Sequence, residues 1–372
     1  MQISQLDTPA LLIEKSIMEK NIKHMQELAN QWHVSLRPHT KTHKTPEIAK
    51  MQIEAGARGI TVAKTGEAEV MADAGLDDIF IANEIVGSTK LKRIRRLCEE
   101  GKKISFGLDS LEALEQIIQV FDKKVPAHIL IEVETGDKRS GVTDEHTFIE
   151  ILKVLKEEPA IEFEGIFSHE GHTYSAPDTA TASRLFLLAQ EDTLRYVEIA
   201  RQHGLSCNRV SIGSTPGITS AHLHGGKILD GITEIRPGTY IFMDAGQAKV
   251  IGSYRQCAAT VLATIISKPT KDRTIADAGA KALTMQSRMS GICQTEGKGT
   301  ILEPLETVVS SVYDEHTIFT DNALHEAVSI GDTVRIIPNH ICPVVNLYDQ
   351  LYIVDGEKVV STYRIACRGK TT

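Results

Sequence analysis

The sequence predicts an α/β protein: a (β/α)8 TIM-type barrel followed by a mostly antiparallel β-domain. Three observations lead there. Eight short runs rich in β-branched and apolar residues alternate with segments of helical periodicity. Titratable residues and glycines follow these runs, where such a barrel keeps its active site. Near residue 245 the rhythm changes, and apolar runs then succeed one another with few helical patterns between them.

The eight runs lie at 34–38, 59–63, 79–83, 104–108, 127–133, 163–168, 209–213 and 234–242. The first helix, Ser16 to Trp32, carries Ile17, Met18, Ile22, Met25, Leu28 and Ala29 at helical spacing. A second helical pattern covers 67–74. The pattern from Ser110 to Phe121 opens with Ser110 at an N-cap position and Glu112 and Glu115 in its first turns, which suits the helix dipole. A long pattern over 181–203 stops at Gly204, a residue suited to a helix end. A doubly wound open sheet is the other architecture compatible with the alternation, but no G-x-G-x-x-G follows the first run. The barrel is therefore expected over 10–245. The β-domain is expected over 246–372, with runs such as AATVLATIIS, TVRIIP and KVVSTYRIA; the opening residues 1–9 are open to joining it.

Composition narrows the function classes. The 372 residues carry 41 Lys and Arg against 49 Asp and Glu, a net charge of −8, which argues against nucleic acid as a partner. Six cysteines without a C-x-x-C pair fit free thiols in a reducing compartment, and so a cytoplasmic protein. The N-terminus lacks the basic start and apolar run of a secretion signal. No apolar stretch is long enough to span a bilayer, so no membrane partner is expected.

Chemistry concentrates after the runs. Gly213, Ser214 and Thr215 follow the seventh run, and the eighth contains Gly238, Thr239 and Tyr240. Backbone N–H groups and hydroxyls at those two ends form the usual phosphate site of a barrel, so a phosphorylated ligand is expected. The run after the first strand, RPHTKTHK, places Lys41 between His39 and His43. A lysine in a cleft with a phosphate site suits covalent attachment of pyridoxal phosphate, although local chemistry does not separate Lys41 from Lys44 or Lys64. In the second domain, His340 and Cys342 stand two apart in PNHICP. On an extended chain both side chains point the same way and offer nitrogen and sulfur to one metal, leaving positions for water and substrate; a buried thiol beside a hydrogen-bonded histidine is the alternative.

Together these pieces resemble the fold-type III pyridoxal-phosphate enzymes, in particular the D-threonine aldolase and D-serine dehydratase group. Its carriers are Thr8-Pro9-Ala10, the Arg37–Lys44 run, VETGDKRSG at 133–141, Gly213-Ser214-Thr215-Pro216, Arg236-Pro237-Gly238-Thr239-Tyr240 and the Pro338–Pro343 run, in the family's order along almost the whole chain. The resemblance implies that Lys41 carries pyridoxal 5′-phosphate. It implies that Gly213, Ser214, Thr215, Gly238 and Thr239 hold the phosphate, with Tyr240 nearby. Arg139 would approach the ring hydroxyl, and His169 or Tyr174 would flank the ring. His340 and Cys342 would bind a divalent metal (Zn, Mn or Mg) close to the substrate hydroxyl. It also implies a homodimer.

Two activities follow from the resemblance. As an aldolase, the protein would cleave D-threonine and related D-β-hydroxy-amino acids to glycine and an aldehyde. His172 is then the expected base for the hydroxyl proton, with His169, His39 and His43 as competitors. As a D-serine dehydratase, it would use Lys41 to remove the Cα proton and release pyruvate and ammonia. Some aldolases resemble this chain except for an aspartate where Cys342 stands, whereas D-serine dehydratases and hydroxyaspartate aldolases carry cysteine there. Hydroxyaspartate as substrate is thus a further reading. Racemisation is disfavoured because the tyrosine base of alanine racemases has no clear counterpart, and a non-catalytic cofactor carrier would be a barrel alone. The aldolase reading is preferred.

Overall fold

The computed structural model describes all residues, Met1–Thr372. After β1 (Ala10–Glu14) the chain alternates helices and strands: α1 (Lys15–Gln31), β2 (Ser35–Leu36), α2 (Pro46–Glu54), β3 (Ile60–Val62), α3 (Thr65–Asp73), β4 (Asp78–Glu84), α4 (Ser88–Glu99) and β5 (Lys103–Leu108). It continues with α5 (Leu111–Ile118), β6 (Ala127–Glu132), α6 (Glu145–Glu157), β7 (Ile161–Phe167), α7 (Thr179–Gln202), β8 (Arg209–Ile212), α8 (Thr215–Leu223), β9 (Glu234–Ile235) and α9 (Ala245–Ile251). Strands β2 to β9 form one parallel eight-stranded sheet in the order β2-β9-β8-β7-β6-β5-β4-β3. The ends of that order meet. His39 and Thr61 form a parallel bridge, and the N–H groups of Arg58 and Thr61 donate to the carbonyls of Leu36 and Pro38, each at 2.9 Å. The expected eight-unit barrel is the observed one.

Several boundaries differ from expectation. The run 234–242 is strand only at Glu234–Ile235, and Thr239–Ile241 form a 3-10 turn. Pro237 lacks the N–H a ladder needs and restricts the residue before it, so the strand stops there. Ser110 does occupy the N-cap of α5, but its side chain makes no capping bond. Asp144, Asp178 and Ser214 do cap α6, α7 and α8, each accepting an N–H of the first turn.

Inside the barrel, Phe80, Leu130 and Phe167 pack together. Arg209 lies 4.9 Å from the Phe80 ring centroid, while Arg236 lies 5.3 Å from the Phe167 centroid. Two guanidiniums thus stack on one aromatic layer, an arrangement that uses the ring quadrupole to hold buried cations. At the N-terminal mouth the strand starts line a polar cavity of about 520 Å³ that includes Asp78, Lys103, His128, Glu164, Arg209 and Glu234. Arg37, part of the run expected at the catalytic rim, turns its side chain to this other mouth. It is 1% exposed and donates to the carboxylates of Glu234, at 2.7 Å, and Asp78.

The later chain builds β10 (Ala259–Thr270), β11 (Arg273–Ala276), α10 (Ala280–Leu283), β12 (Thr300–Ile301), β13 (Thr307–Val308), β14 (Ser311–Val312), β15 (Thr317–Phe319) and α11 (Asn322–Ala327). It ends with β16 (Thr333–Ile337), α12 (Ile341–Val345), β17 (Gln350–Asp355) and β18 (Lys358–Arg364). Strand β1 joins these strands in a ten-stranded sheet. It pairs antiparallel with β10, Ala10 opposite Leu262, and parallel with β17, Leu12 opposite Tyr352. All other ladders of this sheet are antiparallel. The chain folds as two compact units: 1–24, 42–45 and 239–368 form one, and 25–41, 46–238 and 369–372 the other. The expected division at 245/246 therefore shifts. Ala10–Ile13 is apolar throughout and buried, the pattern of a strand covered on both faces, and it lies at the centre of the β-unit's sheet. No helix is long and apolar enough to cross a membrane.

Candidate active site

In the barrel unit the ends of β2, β6, β7, β8 and β9 carry the candidate residues. Lys41 lies in a 3-10 turn, Thr40–Thr42, and its backbone N–H points to Nδ1 of His39 at 3.4 Å. Burial, reinforced by the charges of Lys41 and Arg236, holds His39 well below 6.5, so its ring is neutral. His169 follows β7. Its Nδ1 lies 2.9 Å from the Gly213 carbonyl, and burial together with Lys41 holds it well below 6.5. A neutral ring bonded in this way carries its proton on Nδ1 and keeps a lone pair on Nε2.

Gly213 behaves differently from expectation. Its N–H is not presented outward but donates to Oε2 of Glu170 at 2.7 Å. Its φ is +148°, and a Cβ there would lie 2.7 Å from the backbone nitrogen of Arg236, so only glycine fits. Ser214 accepts from the Gly217 N–H at 3.2 Å and lies 3.1 Å from the Thr173 hydroxyl. Thr215 is 2% exposed, and its Oγ1 is buried without a hydrogen-bond partner. An unsatisfied hydroxyl at the first position of α8, where the helix dipole is positive, is suited to an anion.

Arg236, on the same rim, donates from Nη2 to the Ser168 carbonyl at 2.7 Å, while its Nη1 is buried with no partner. Burial pushes it down to about 10. Arg139 is half-exposed, with Nη2 3.3 Å from Glu132 Oε1. His172 and Tyr174 lie in the 3-10 turn Gly171–Ser175. The His172 ring packs against Gly136, where a Cβ would come within 3.1 Å of it, and its Nδ1 is buried without a partner. His43 is spent on structure: it is fully buried, accepts the Thr45 N–H at 3.2 Å and meets the Phe242 ring edge-on. Gly238 ends the barrel part of this rim, after which the chain passes into the β-unit.

The barrel residues fit pyridoxal phosphate. The bare Thr215 hydroxyl at a helix start suits the phosphate, the spare donor of Arg236 suits a polar ring atom, and two neutral imidazoles stand beside Lys41 in sequence and field. Sequence reasoning missed Glu170 and left Arg236 without a role. Glu170 lies two residues past a predicted strand and Arg236 within another, beside candidate site residues in both cases, and that position was the available signal.

In the β-unit, His340 is the N-cap residue of α12 and Cys342 lies within that helix. The extended geometry expected for the pair is therefore replaced by a helix start. Cys342 Sγ lies 3.2 Å from Thr42 Oγ1 and 3.7 Å from Thr239 Oγ1. The Thr239 hydroxyl thus faces a thiol, not the phosphate role expected of it. Tyr240 is buried in the adjoining turn. Asp244 fixes the region, accepting the N–H of Ile341 at 3.1 Å and of Gln247 at 2.8 Å. No three His, Cys, Asp or Glu side chains come together. An imidazole and a thiol are suited by their chemistry to a borderline-soft divalent ion.

Comparisons with known proteins agree with this architecture. The family profile "Alanine racemase, N-terminal domain" matches residues 13–246, and "Putative serine dehydratase domain" matches 258–354. A D-threonine aldolase of Arthrobacter sp is 31% identical over 371 residues, covering 99% of this chain and 94% of that protein. The D-threo-3-hydroxyaspartate dehydratase of Delftia sp. is 30% identical over 352 residues, 91% of each. The solved structure of a cysteine variant of a D-threo-3-hydroxyaspartate dehydratase, in a metal-free form, matches with TM-score 0.88 at 27% identity, covering 98% of each chain. Fold and site define a barrel enzyme of the alanine racemase type. Within that class, the chain belongs to the D-threonine aldolase and D-serine dehydratase family of pyridoxal-phosphate lyases.

Proposed function

We propose that the protein is a pyridoxal-phosphate- and divalent-metal-dependent aldolase that cleaves D-threonine and related D-β-hydroxy-amino acids to glycine and an aldehyde. The observation that carries this reading is the 31% identity to a D-threonine aldolase along 99% of the chain. Lys41 would hold the cofactor covalently, and Thr215, Ser214 and Gly238 would surround its phosphate. Arg139 would approach the ring hydroxyl, and His169 or Tyr174 would flank the ring. His340 and Cys342 would hold the metal. When bound, the cofactor supplies an electron sink for the bond broken at Cα, and the metal polarises the β-hydroxyl.

The chain's own residues have the remaining work. His172 receives the β-hydroxyl proton as the Cα–Cβ bond breaks; its packing against Gly136 fixes the ring, which makes it a better base than His43. His169 and His39 stay neutral beside Lys41. The electron pair left at Cα takes a proton to complete glycine, and the aldehyde leaves. A dehydratase is the second reading, favoured by Cys342 and by the 30% identity to a hydroxyaspartate dehydratase. There Lys41 takes the Cα proton, hydroxide leaves Cβ, and a keto acid and ammonia form.

Incubation with D-threonine and D-serine, with and without chelator, separates the readings. Acetaldehyde and glycine support the aldolase; pyruvate and ammonia from D-serine support the dehydratase. Loss of the visible cofactor absorbance in Lys41→Ala tests the attachment site. Activity unmoved by chelator and by His340→Ala would remove the metal. The proposal includes a cytoplasmic homodimer, checked by sedimentation of the purified protein.

A further inference from the structure

We infer that Glu170 is a positioning residue: one buried carboxylate locks the Gly213 peptide, and through it both the start of helix α8 and the tautomer of His169. The inference rests on the pyridoxal-phosphate reading. Glu170 is fully buried. Its Oε2 accepts the Gly213 N–H at 2.7 Å, and its Oε1 accepts the Ser168 hydroxyl at 2.7 Å. The Gly213 carbonyl, on the other side of the same residue, bonds Nδ1 of His169 at 2.9 Å. The Glu170 backbone carbonyl accepts the Thr173 hydroxyl at 2.6 Å, and that hydroxyl touches Ser214, the cap of α8, at 3.1 Å. The hydrogen bonds that reach Gly213 and Ser214 from the turn after β7 thus run through Glu170 or the residue it holds.

A Cβ at Gly213 would collide with the backbone of Arg236, so only glycine fits there, a residue whose peptide turns easily unless it is held. Without an acceptor at Glu170, its N–H is a buried donor with no partner, and the peptide gains a reason to turn. A turned peptide withdraws the carbonyl from His169 and moves the first residue of α8, where Thr215 holds its unsatisfied hydroxyl. Glutamine in place of Glu170 can preserve the arrangement. Its amide oxygen accepts from Gly213, and its amide nitrogen donates to Ser168, whose hydroxyl then turns to Thr193, 2.9 Å away. The role is thus one of hydrogen-bond geometry, not of charge.

The test compares the affinity of cofactor-free protein for pyridoxal phosphate and for pyridoxal, which lacks the phosphate, by absorbance titration. In Glu170→Ala the affinity for pyridoxal phosphate is expected to fall about tenfold more than that for pyridoxal, the size of one good hydrogen bond. Glu170→Gln is expected to restore the wild-type ratio. If Glu170→Ala fails to fold by circular dichroism, Glu170→Asp, with its carboxylate drawn back by one methylene, is read by the same criterion. Equal losses for both ligands, no loss at all, or a Gln variant as impaired as Ala would overturn the inference. Wild-type protein that takes up no pyridoxal phosphate would instead overturn the cofactor reading.

Discussion

Thr215 and Arg236 each keep a buried polar atom without a partner, Oγ1 and Nη1 respectively. Such atoms cost about 1–3 kcal/mol apiece in a folded chain, so a site that retains them holds donors in reserve. Thr215→Val conserves shape and removes the idle hydroxyl. It is expected to leave the cofactor-free protein as stable as wild type or slightly more so, while weakening pyridoxal phosphate binding about tenfold. Differential scanning calorimetry and absorbance titration of one sample check both halves. The histidines show how burial assigns roles: His39 and His169 are held neutral and His43 is packed away, which leaves His172 as the rim imidazole with an uncommitted nitrogen.

At the scale of elements, short helices position the chemistry. Helix α12 has five residues, too few to be stable alone, yet it presents Cys342. Asp244 compensates by accepting the first N–H of α12 while capping α9. Asp244→Ala leaves two buried donors unsatisfied and is expected to cost about 2–4 kcal/mol, and to lower retention of an added divalent metal on dialysis more than Asp321→Ala, which uncaps α11. Thermal denaturation and metal analysis of the two variants provide the comparison. The carboxyls at the ends of β4 and β6 form another local device. Burial, with the adjacent Glu132 carboxylate, pushes Glu84 up to about 9. The folded state then holds a proton that the unfolded chain releases above about 4.5, so stability drains away as pH rises from 4.5 toward 9. Glu84→Gln should flatten that slope in urea titrations.

For the whole molecule, the two mouths of the barrel divide the labour. The rim after the strands carries the candidate chemistry, and the mouth before them carries a charged network around Arg37. Arg37 and Glu234 are each 1% exposed, and their pairing ties the residue after β2 to its sheet neighbour β9. Arg37→Met removes the guanidinium bonded to Glu234 and leaves that buried carboxylate only the Ser211 hydroxyl and the Arg209 charge. A loss of about 3–5 kcal/mol is expected, read as a lower urea midpoint, with little change in the KM of whatever protein remains folded. The neutral histidines set a global pH trend. Below about 6.5 the unfolded chain binds protons that His39 and His169 refuse when folded, so stability falls as pH drops through that range. Urea midpoints at about pH 7.5 and 5.5 should lie closer together in His39→Gln than in wild type.

Local patterns in the sequence sufficed for the eight barrel units, the helix start at Ser110, the helix end at Gly204 and the positions of Lys41, His169 and Thr215 on one rim. These depend on periodicity, on turn chemistry and on which end of a strand a residue follows, all of which are near-neighbour properties. Other facts depended on partners far along the chain. Arg37 reads as a rim residue until Glu234 and Asp78 draw it to the opposite mouth. Strand β1 reads as a strand open to either domain until β10 and β17 close on either side of it. Gly213 reads as a free anion donor until Glu170, 43 positions earlier, takes its N–H. The sequence by itself determined which elements form and which end carries the chemistry, because hydrophobic period and strand direction are written locally. Only the tertiary structure decided which polar groups satisfy one another and which are left for a ligand, because in a buried site that outcome belongs to pairs.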